Sequence, residues 1–123
     1  MATVLLVDDN LSILDVTKEL LEFCGAEVFL AHNGEEALAL LTLGGFDLVV
    51  TDIQMPGMNG NQLMQRIRAS YPDLPVVAHT ASPHHCIYNG FNEILTKPTD
   101  LQALRQTLLR YSKRSTQELR AVG

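Results

Sequence analysis

The sequence is poor in cysteine and in aromatic residues, and it contains no tryptophan. Its two cysteines, Cys24 and Cys86, form neither a CxxC pair nor a disulfide-rich pattern, so we expect buried, inert thiols in a reducing compartment. Long hydrophobic runs are also missing: no apolar stretch approaches the roughly 18–20 residues that span a bilayer, and no signal-peptide pattern precedes the first predicted strand. These absences predict a cytoplasmic location without membrane contact.

An excess of positive charge is missing as well. The chain carries 14 acidic and 9 basic residues, a net charge of −5, which disfavours the phosphate backbone of nucleic acid as a partner. Hydrophobic residues make up 46% of the sequence and charged residues 19%, a composition that is typical of a globular chain rather than a disordered one. The length of 123 residues suits one domain with a single sizeable core.

Short apolar or β-branched runs alternate with helical patterns along the chain. Five runs are predicted strands: Thr3–Val7, Glu27–Ala31, Asp47–Thr51, Pro75–His79 and Glu93–Thr96. The predicted helices are one with an apolar face from Ile13 to Cys24, then Gly34–Leu43, residues 61–70, and a last one from about Asp100. Because the strands lack polar alternation, we predict an α/β fold: a doubly wound, five-stranded parallel sheet in the flavodoxin-like order 2-1-3-4-5, with helices on both faces.

Polar residues stand where the predicted strands end. Asp8 and Asp9 follow the first strand and Asp52 follows the third. Thr80 follows the fourth strand and Lys97 the fifth. In open parallel sheets, ligands bind beyond the carboxyl ends of the strands, so we expect these five residues to converge on one edge.

The adjacent carboxylates of Asp8 and Asp9 repel each other, by about 4 kcal/mol at ~4 Å and an effective dielectric of ~20. With Asp52 nearby, three carboxylates face one ammonium, and a divalent cation would neutralise the remaining charge. Oxygen ligands suit Mg²⁺. The simpler alternative is that Asp8 or Asp9 caps the first helix, although Asn10 could be the N-cap residue equally well.

Asp52 lies between the apolar run LVVT and the turn-rich run IQMPGMNG. A carboxylate held beside Mg²⁺ can attack phosphorus and form an aspartyl phosphate. Such a transfer depends on positioning and on stabilising charge at the phosphoryl oxygens, for which Lys97 and the Thr80 hydroxyl or a nearby N–H are candidates. The small side chain of Ala81 leaves room for the phosphoryl group.

The combination of VDDN, DIQMPGMNG, T-A and T-K-P resembles the receiver domain of two-component response regulators, from Thr3 to about Arg114. The resemblance implies that Asp52 is the phosphoacceptor. It also implies a set of Mg²⁺ ligands: Asp9 directly, Asp8 largely through water, Asp52, and the main-chain carbonyl of Gln54.

The resemblance extends to the other converging residues. It implies that Thr80 supplies a switch hydroxyl, and that Lys97 is the phosphate partner and precedes a cis bond to Pro98. The phosphodonor would be a histidine of a sensor histidine kinase or of a histidine phosphotransfer protein. The run DIQMP resembles a sequence that is common in the receiver domains of hybrid sensor kinases. We expect a receiver domain over residues 1–114 and a polar tail over 115–123. The domain should not be an enzyme: it should assist its own phosphorylation and dephosphorylation, without a separate catalytic domain and without turnover of a metabolite.

Two features depart from the family pattern. Ile94 stands three residues before Lys97, where such domains usually carry an aromatic switch residue, which puts coupling to a rotating ring in doubt. The crossover before the last strand is also short, and its predicted helix runs only from Pro83 to about Asn89. We therefore expect a shortened fourth helix and an altered output face, with the phosphorylation chemistry intact.

Other functions compete with this interpretation. A flavodoxin-like electron carrier would need a hydroxyl- and glycine-rich loop after the first strand, where this chain has Asp8 and Asp9. A phosphatase built on a nucleophilic aspartate would need a further carboxylate just beyond Asp52 and a cap over the substrate. A receiver-like interaction module without regulated switching stays open. The run His84-His85-Cys86 is a weak candidate for a soft metal site and more typical of a solvated surface.

Overall fold

A five-stranded parallel sheet forms the centre of the molecule. The computed structural model describes residues 2–85 and 90–111. The strands are β1 (Thr3–Val7), β2 (Glu27–Ala31), β3 (Leu48–Thr51), β4 (Val76–Thr80) and β5 (Glu93–Thr96), and they pair in the order β2-β1-β3-β4-β5. The helices are α1 (Leu11–Phe23), α2 (Gly34–Leu41), α3 (Gly60–Ser70) and α4 (Leu101–Tyr111). The predicted fold class and strand order are confirmed.

Both faces of the sheet are buried, which explains why the strands lack polar alternation. Successive β1 residues point to opposite faces, so Val4 and Leu6 join one apolar cluster while Leu5 and Val7 join the other. Helices α1 and α4 cover the first cluster and contribute Leu14, Leu21, Leu104 and Leu108. Helices α2 and α3 cover the second cluster and contribute Ala37, Leu41, Leu63, Met64 and Ile67. The sheet thus sits between two helical layers.

An asparagine caps the start of each of the first three helices. The side chains of Asn10, Asn33 and Asn59 accept hydrogen bonds from the backbone N–H groups of Ile13, Glu36 and Gln62, respectively. Asn59 and Gln62 form a complete capping box. These caps start the helices beyond the strand ends, after connections of two to eight residues that can carry functional side chains.

Several predicted boundaries shift by one or two residues. Helix α2 ends at Leu41 rather than at residue 43, because the chain turns into two glycines with positive φ, Gly44 and Gly45. Strand β4 includes Thr80 and begins at Val76. Strand β3 begins at Leu48, and the preceding Asp47 bonds to the backbone of Thr3 through its N–H and its carboxylate.

The predicted fourth helix is represented by a single 3-10 turn over Pro83–His85. The remainder of that prediction, residues 86–89, lies outside the described residues, as do the boundary at residue 114 and the tail over 115–123. The helix labelled α4 is thus the one that follows β5, not the predicted fourth helix of the short crossover. Among the described residues, every helix is too short or too polar to span a bilayer.

Arg68 of α3 anchors the chain where the short crossover ends. Its Nε donates to the carbonyl of Gly90 at 3.1 Å, and its terminal nitrogens donate to the carbonyl of Leu74 and to the Asn92 side chain. Asn92 also exchanges hydrogen bonds with the backbone of Val76, at 2.8 and 2.9 Å. The Arg68 guanidinium thus fixes the residues just before β5 against the start of β4.

Candidate functional site

Three carboxylates converge at the carboxyl edge of the sheet, as the sequence predicts. Asp8 and Asp9 follow β1 and Asp52 follows β3, the neighbouring strand. One oxygen from each carboxylate lies within 4.8 Å of the others. Asp8 is 2% exposed and Asp52 9% exposed, whereas Asp9 is open to solvent. The site thus combines two buried acids with one accessible acid.

Helix capping does not explain the acidic pair. The cap of α1 is Asn10, whose Oδ1 accepts from Ile13 N at 3.1 Å. Asp8 instead accepts from the N–H of Asn10 at 2.9 Å, which orients its carboxylate beside the strand end. The capping alternative for Asp8 and Asp9 is therefore wrong.

Lys97 brings the compensating positive charge into the cluster. Its Nζ lies 2.7 Å from Asp8 Oδ2 and 3.4 Å from Asp52 Oδ2. The three side chains are largely buried, so water screens these interactions less than it would at the surface. The backbone N–H of Lys97 donates to the carbonyl of Thr80 at 2.8 Å, which ties the lysine to the end of β4.

Asp52 is held in one orientation and in an unfavourable environment for its charge. Its Oδ1 accepts from the N–H of Ile53 at 2.7 Å. Burial raises the pKa of Asp52 above its ordinary value; the Lys97 ammonium opposes this rise and the Asp8 carboxylate adds to it. Because its orientation is fixed and its negative charge is poorly stabilised, the Asp52 carboxylate is suited to bind a cation or to react as a nucleophile.

Gly60, a residue that the sequence reasoning missed, sets the position of the Asp52 backbone. Its N–H donates to the carbonyl of Ile53 at 2.8 Å. A Cβ on Gly60 would lie 2.1 Å from the Asp52 carbonyl oxygen, so no larger residue fits without a shift. The glycine at the end of IQMPGMNG is the only signal in the sequence, and by itself it indicates no more than a turn.

Thr80 and Gln54 are the two remaining site residues that the sequence predicts. Thr80 is the last residue of β4 and is buried, and its hydroxyl oxygen accepts from the N–H of Ser82 at 3.1 Å. Gln54 is exposed and lies two residues after Asp52. Their roles as switch hydroxyl and carbonyl ligand stay predictions. The peptide bond between Lys97 and Pro98 is cis, as the resemblance implied.

Ile94, which departs from the family pattern, lies in an apolar environment. Ile94 packs with Ile53, Ala78 and Phe91 in a small apolar cluster beside the Asp52 loop. The run His84-His85-Cys86 falls partly outside the described residues. His79, in β4, is only 4% exposed.

The chain matches the family profile of the response regulator receiver domain over residues 4–109. It is 38% identical over 119 residues to the sensor protein GacS of Pseudomonas syringae pv. syringae, with 89% of this chain and 13% of GacS covered. It is 36% identical over 116 residues to the sensor histidine kinase RcsC of Salmonella typhi, with 90% of this chain and 12% of RcsC covered. The chain thus spans a small part of the length of these relatives.

Solved structures share the fold over most of their length. A response regulator receiver domain protein from Clostridium thermocellum matches with a TM-score of 0.84 and 29% identity, covering 94% of this chain and 98% of that one. The response regulator protein TrrA from Thermotoga maritima, in complex with Mg²⁺-BeF, matches with a TM-score of 0.83 and 32% identity, covering 90% of this chain and 99% of that one.

Proposed function

Because the chain belongs to the response regulator receiver domain family, we propose that it accepts a phosphoryl group on Asp52 in a two-component or phosphorelay system. The observation that carries this proposal is the cluster of Asp8, Asp9 and Asp52 with Lys97 at the carboxyl edge of the sheet. The reaction is a transfer to the protein's own side chain rather than turnover of a metabolite.

The donor set fits Mg²⁺. Carboxylate oxygens are hard ligands, Asp9 is open to solvent, and the three acids exceed the single Lys97 charge beside them. In this proposal Asp9 binds the ion directly, Asp8 largely through water, and Asp52 and the main-chain carbonyl of Gln54 complete the ligands. When bound, the ion supplies positive charge against the carboxylates and the incoming phosphoryl oxygens.

The chain's own residues orient the reaction. An Asp52 oxygen forms a bond to phosphorus while the bond between phosphorus and the donor's leaving atom breaks, and that electron pair stays with the donor. The Ile53 N–H holds the Asp52 carboxylate in place, and the Lys97 ammonium lies close enough to neutralise charge on a phosphoryl oxygen. Thr80 is proposed to bond to the phosphoryl group after a turn of its hydroxyl away from Ser82.

The proposed partner is a protein that carries a phosphorylated histidine. The named relatives are a sensor protein and a sensor histidine kinase, which supports a sensor kinase or a histidine phosphotransfer protein as donor. We further propose that the receiver domain extends over residues 1–114, that the segment 115–123 is a polar tail, and that the domain acts in the cytoplasm. The described residues form a receiver domain and hold no separate catalytic domain.

Intact mass after incubation with acetyl phosphate tests the proposal. We expect wild type to gain one phosphoryl group in the presence of Mg²⁺ and not in its absence, and Asp52→Asn to gain none. The matched control is Asp73→Asn, which removes an exposed carboxylate in the turn before β4 and should leave the gain unchanged. Phosphorylation of the Asp52→Asn variant to the wild-type level would overturn the assignment of the acceptor.

Mg²⁺ titration by calorimetry tests the ligand set separately. We expect Asp9→Asn to weaken Mg²⁺ binding at least tenfold, because it removes an accessible anionic ligand. Asp15→Asn changes the net charge by the same amount on the exposed surface of α1 and should leave the affinity within about twofold. Equal effects of the two substitutions would indicate general electrostatics rather than a site.

A receiver-like interaction module without regulated switching is the second candidate. The observation that favours it is Ile94, an aliphatic side chain in the apolar cluster beside the Asp52 loop. Such a module would bind Mg²⁺ and gain no phosphoryl group from acetyl phosphate or from a phosphohistidine donor. The same mass measurement, made with both donors, separates the two functions.

A further inference from the structure

We propose that His79 is a positioning residue for the proposed phosphoryl transfer, because its hydrogen bond to Thr99 fixes the turn that carries Lys97. His79 lies on β4 directly before Thr80, and its Nε2 is 2.7 Å from Thr99 Oγ1. Thr99 lies two residues after Lys97, whose ammonium contacts both Asp8 and Asp52. The inference rests on the proposed function and adds a residue that lies outside the acidic cluster.

The direction of the hydrogen bonds follows from the donor inventory of the groups. The Thr99 hydroxyl donates its single hydrogen to the carbonyl of Thr96, with the oxygens 3.0 Å apart. With the hydroxyl hydrogen placed there, the Thr99 oxygen accepts from His79 in the tautomer that carries a hydrogen on Nε2. Burial, together with the Lys97 charge, lowers the pKa of His79 to about 4. The ring is thus a neutral donor at physiological pH.

These bonds close the turn from Thr96 to Thr99 around Lys97. The Thr99 hydroxyl bonds to the carbonyl at the start of the turn, and His79 holds that hydroxyl from the neighbouring strand. The N–H of Lys97 is bonded to the carbonyl of Thr80. Two consecutive residues of β4 therefore hold the lysine's turn, one through its backbone and one through its side chain.

The surroundings of His79 show that packing alone does not require an imidazole there. Strand alternation puts His79 on the same face as Val77, in the layer between the sheet and helices α1 and α4. It lines one cavity together with the apolar side chains of Ile13 and Leu104. An aliphatic residue would suit this lining without the cost of burying a polar ring. The hydrogen bond to Thr99 is what the imidazole adds.

The position of Lys97 matters because its long side chain is flexible and its charge must meet a phosphoryl oxygen. A misplacement of about 1 Å in a transfer site can reduce a rate by about 10²-fold. The loss of one hydrogen bond in the turn loosens Lys97 without removing it, so we expect a smaller effect, about a tenfold slower phosphorylation of Asp52.

The experiment compares His79→Leu, Thr99→Val and the double variant in the full chain. Their phosphorylation rates are measured with acetyl phosphate at saturating Mg²⁺, beside Mg²⁺ affinity and the free energy of unfolding. We expect each single variant to be about tenfold slower and the double variant no slower than either single variant. Mg²⁺ affinity should stay within about twofold, because the carboxylates are untouched. Wild-type rates in the single variants, or multiplied losses in the double variant, would overturn the proposal.

Two further variants separate positioning from loss of packing. His79→Gln keeps an N–H donor at a similar distance from the backbone and should recover most of the rate. Val77→Ala makes a cavity on the same face of β4 and should lower the stability while leaving the rate unchanged. A rate that follows stability across all these variants would mean that His79 is merely structural.

A second measurement keeps this inference distinct from the proposed function. The side-chain ammonium resonance of Lys97 is observable by NMR only where hydrogen bonds slow its exchange, and it does not depend on phosphorylation. We expect this resonance in wild type and His79→Gln and its broadening in His79→Leu. If wild type takes up no phosphoryl group, the proposed function fails, while an unchanged Lys97 resonance in His79→Leu refutes the positioning role.

Discussion

Gly60 lies so close to Asp52 that a Cβ on the glycine would meet the Asp52 carbonyl oxygen at 2.1 Å. We therefore expect Gly60→Ala to displace the Asp52 backbone and lower the phosphorylation rate at least tenfold, with a loss of about 1–3 kcal/mol in the free energy of unfolding. The checks are the rate with acetyl phosphate and urea unfolding.

Gly25→Ala is the matched control for a generic loss of stability. Gly25 has a φ of +95° and no heavy atom near the position of an added Cβ, so the substitution strains the end of α1 far from the carboxylates. It should cost about 1–2 kcal/mol and leave the phosphorylation rate unchanged. An equal drop in rate for both variants would contradict a special role for Gly60.

Replacing Lys97 should separate metal binding from phosphoryl transfer. Lys97→Met removes the ammonium between Asp8 and Asp52 and keeps a chain of similar length. We expect tighter Mg²⁺ binding, because the cluster becomes more negative, together with a phosphorylation rate about 10²-fold lower. Calorimetry and intact mass measure the two effects. Lys18→Met, on α1, serves as control, and weaker Mg²⁺ binding in Lys97→Met would contradict the charge argument.

Arg68 should contribute more to the free energy of unfolding than is usual for an arginine on a surface helix. Arg68→Met breaks the bonds to the carbonyls of Gly90 and Leu74 and to the Asn92 side chain, and we expect a loss of about 2–3 kcal/mol in urea unfolding. Arg66→Met, on the exposed side of the same helix, should change stability by less than about 0.5 kcal/mol. Similar losses in both variants would mean that the Arg68 bonds are not stabilising.

The buried imidazole of His79 should make stability depend on pH. Its pKa is lowered from 6.5 to about 4 in the folded protein, so below pH 6.5 the unfolded chain binds a proton that the folded chain excludes. This contribution is fully present above pH 6.5, is lost as the pH falls towards 4, and amounts to about 3 kcal/mol. Urea unfolding of wild type and His79→Gln from pH 7 to 4.5 measures it, since the variant lacks this titration. Parallel stability curves would contradict the shift.

The sequence by itself determined the sheet and the location of the site. Continuous apolar strands such as Val4–Val7 can be buried only on both faces, and the polar residues at strand ends must then meet at one edge of a parallel sheet. These inferences needed only local pattern and connectivity. The bounds predicted for the five strands and for α2 and α3 lie within one or two residues of the observed ones, the spread with which caps and glycines end an element.

Only the tertiary structure decided which side chains contact each other. The Lys97–Asp8 ion pair joins residues 89 positions apart, and the bond of Arg68 to Asn92 depends on how α3 packs against the sheet. The close approach of Gly60 to Asp52 likewise exists only once the loop has closed on itself. Strand register and helix packing set these distances to within an ångström, and no pattern along the chain encodes that precision.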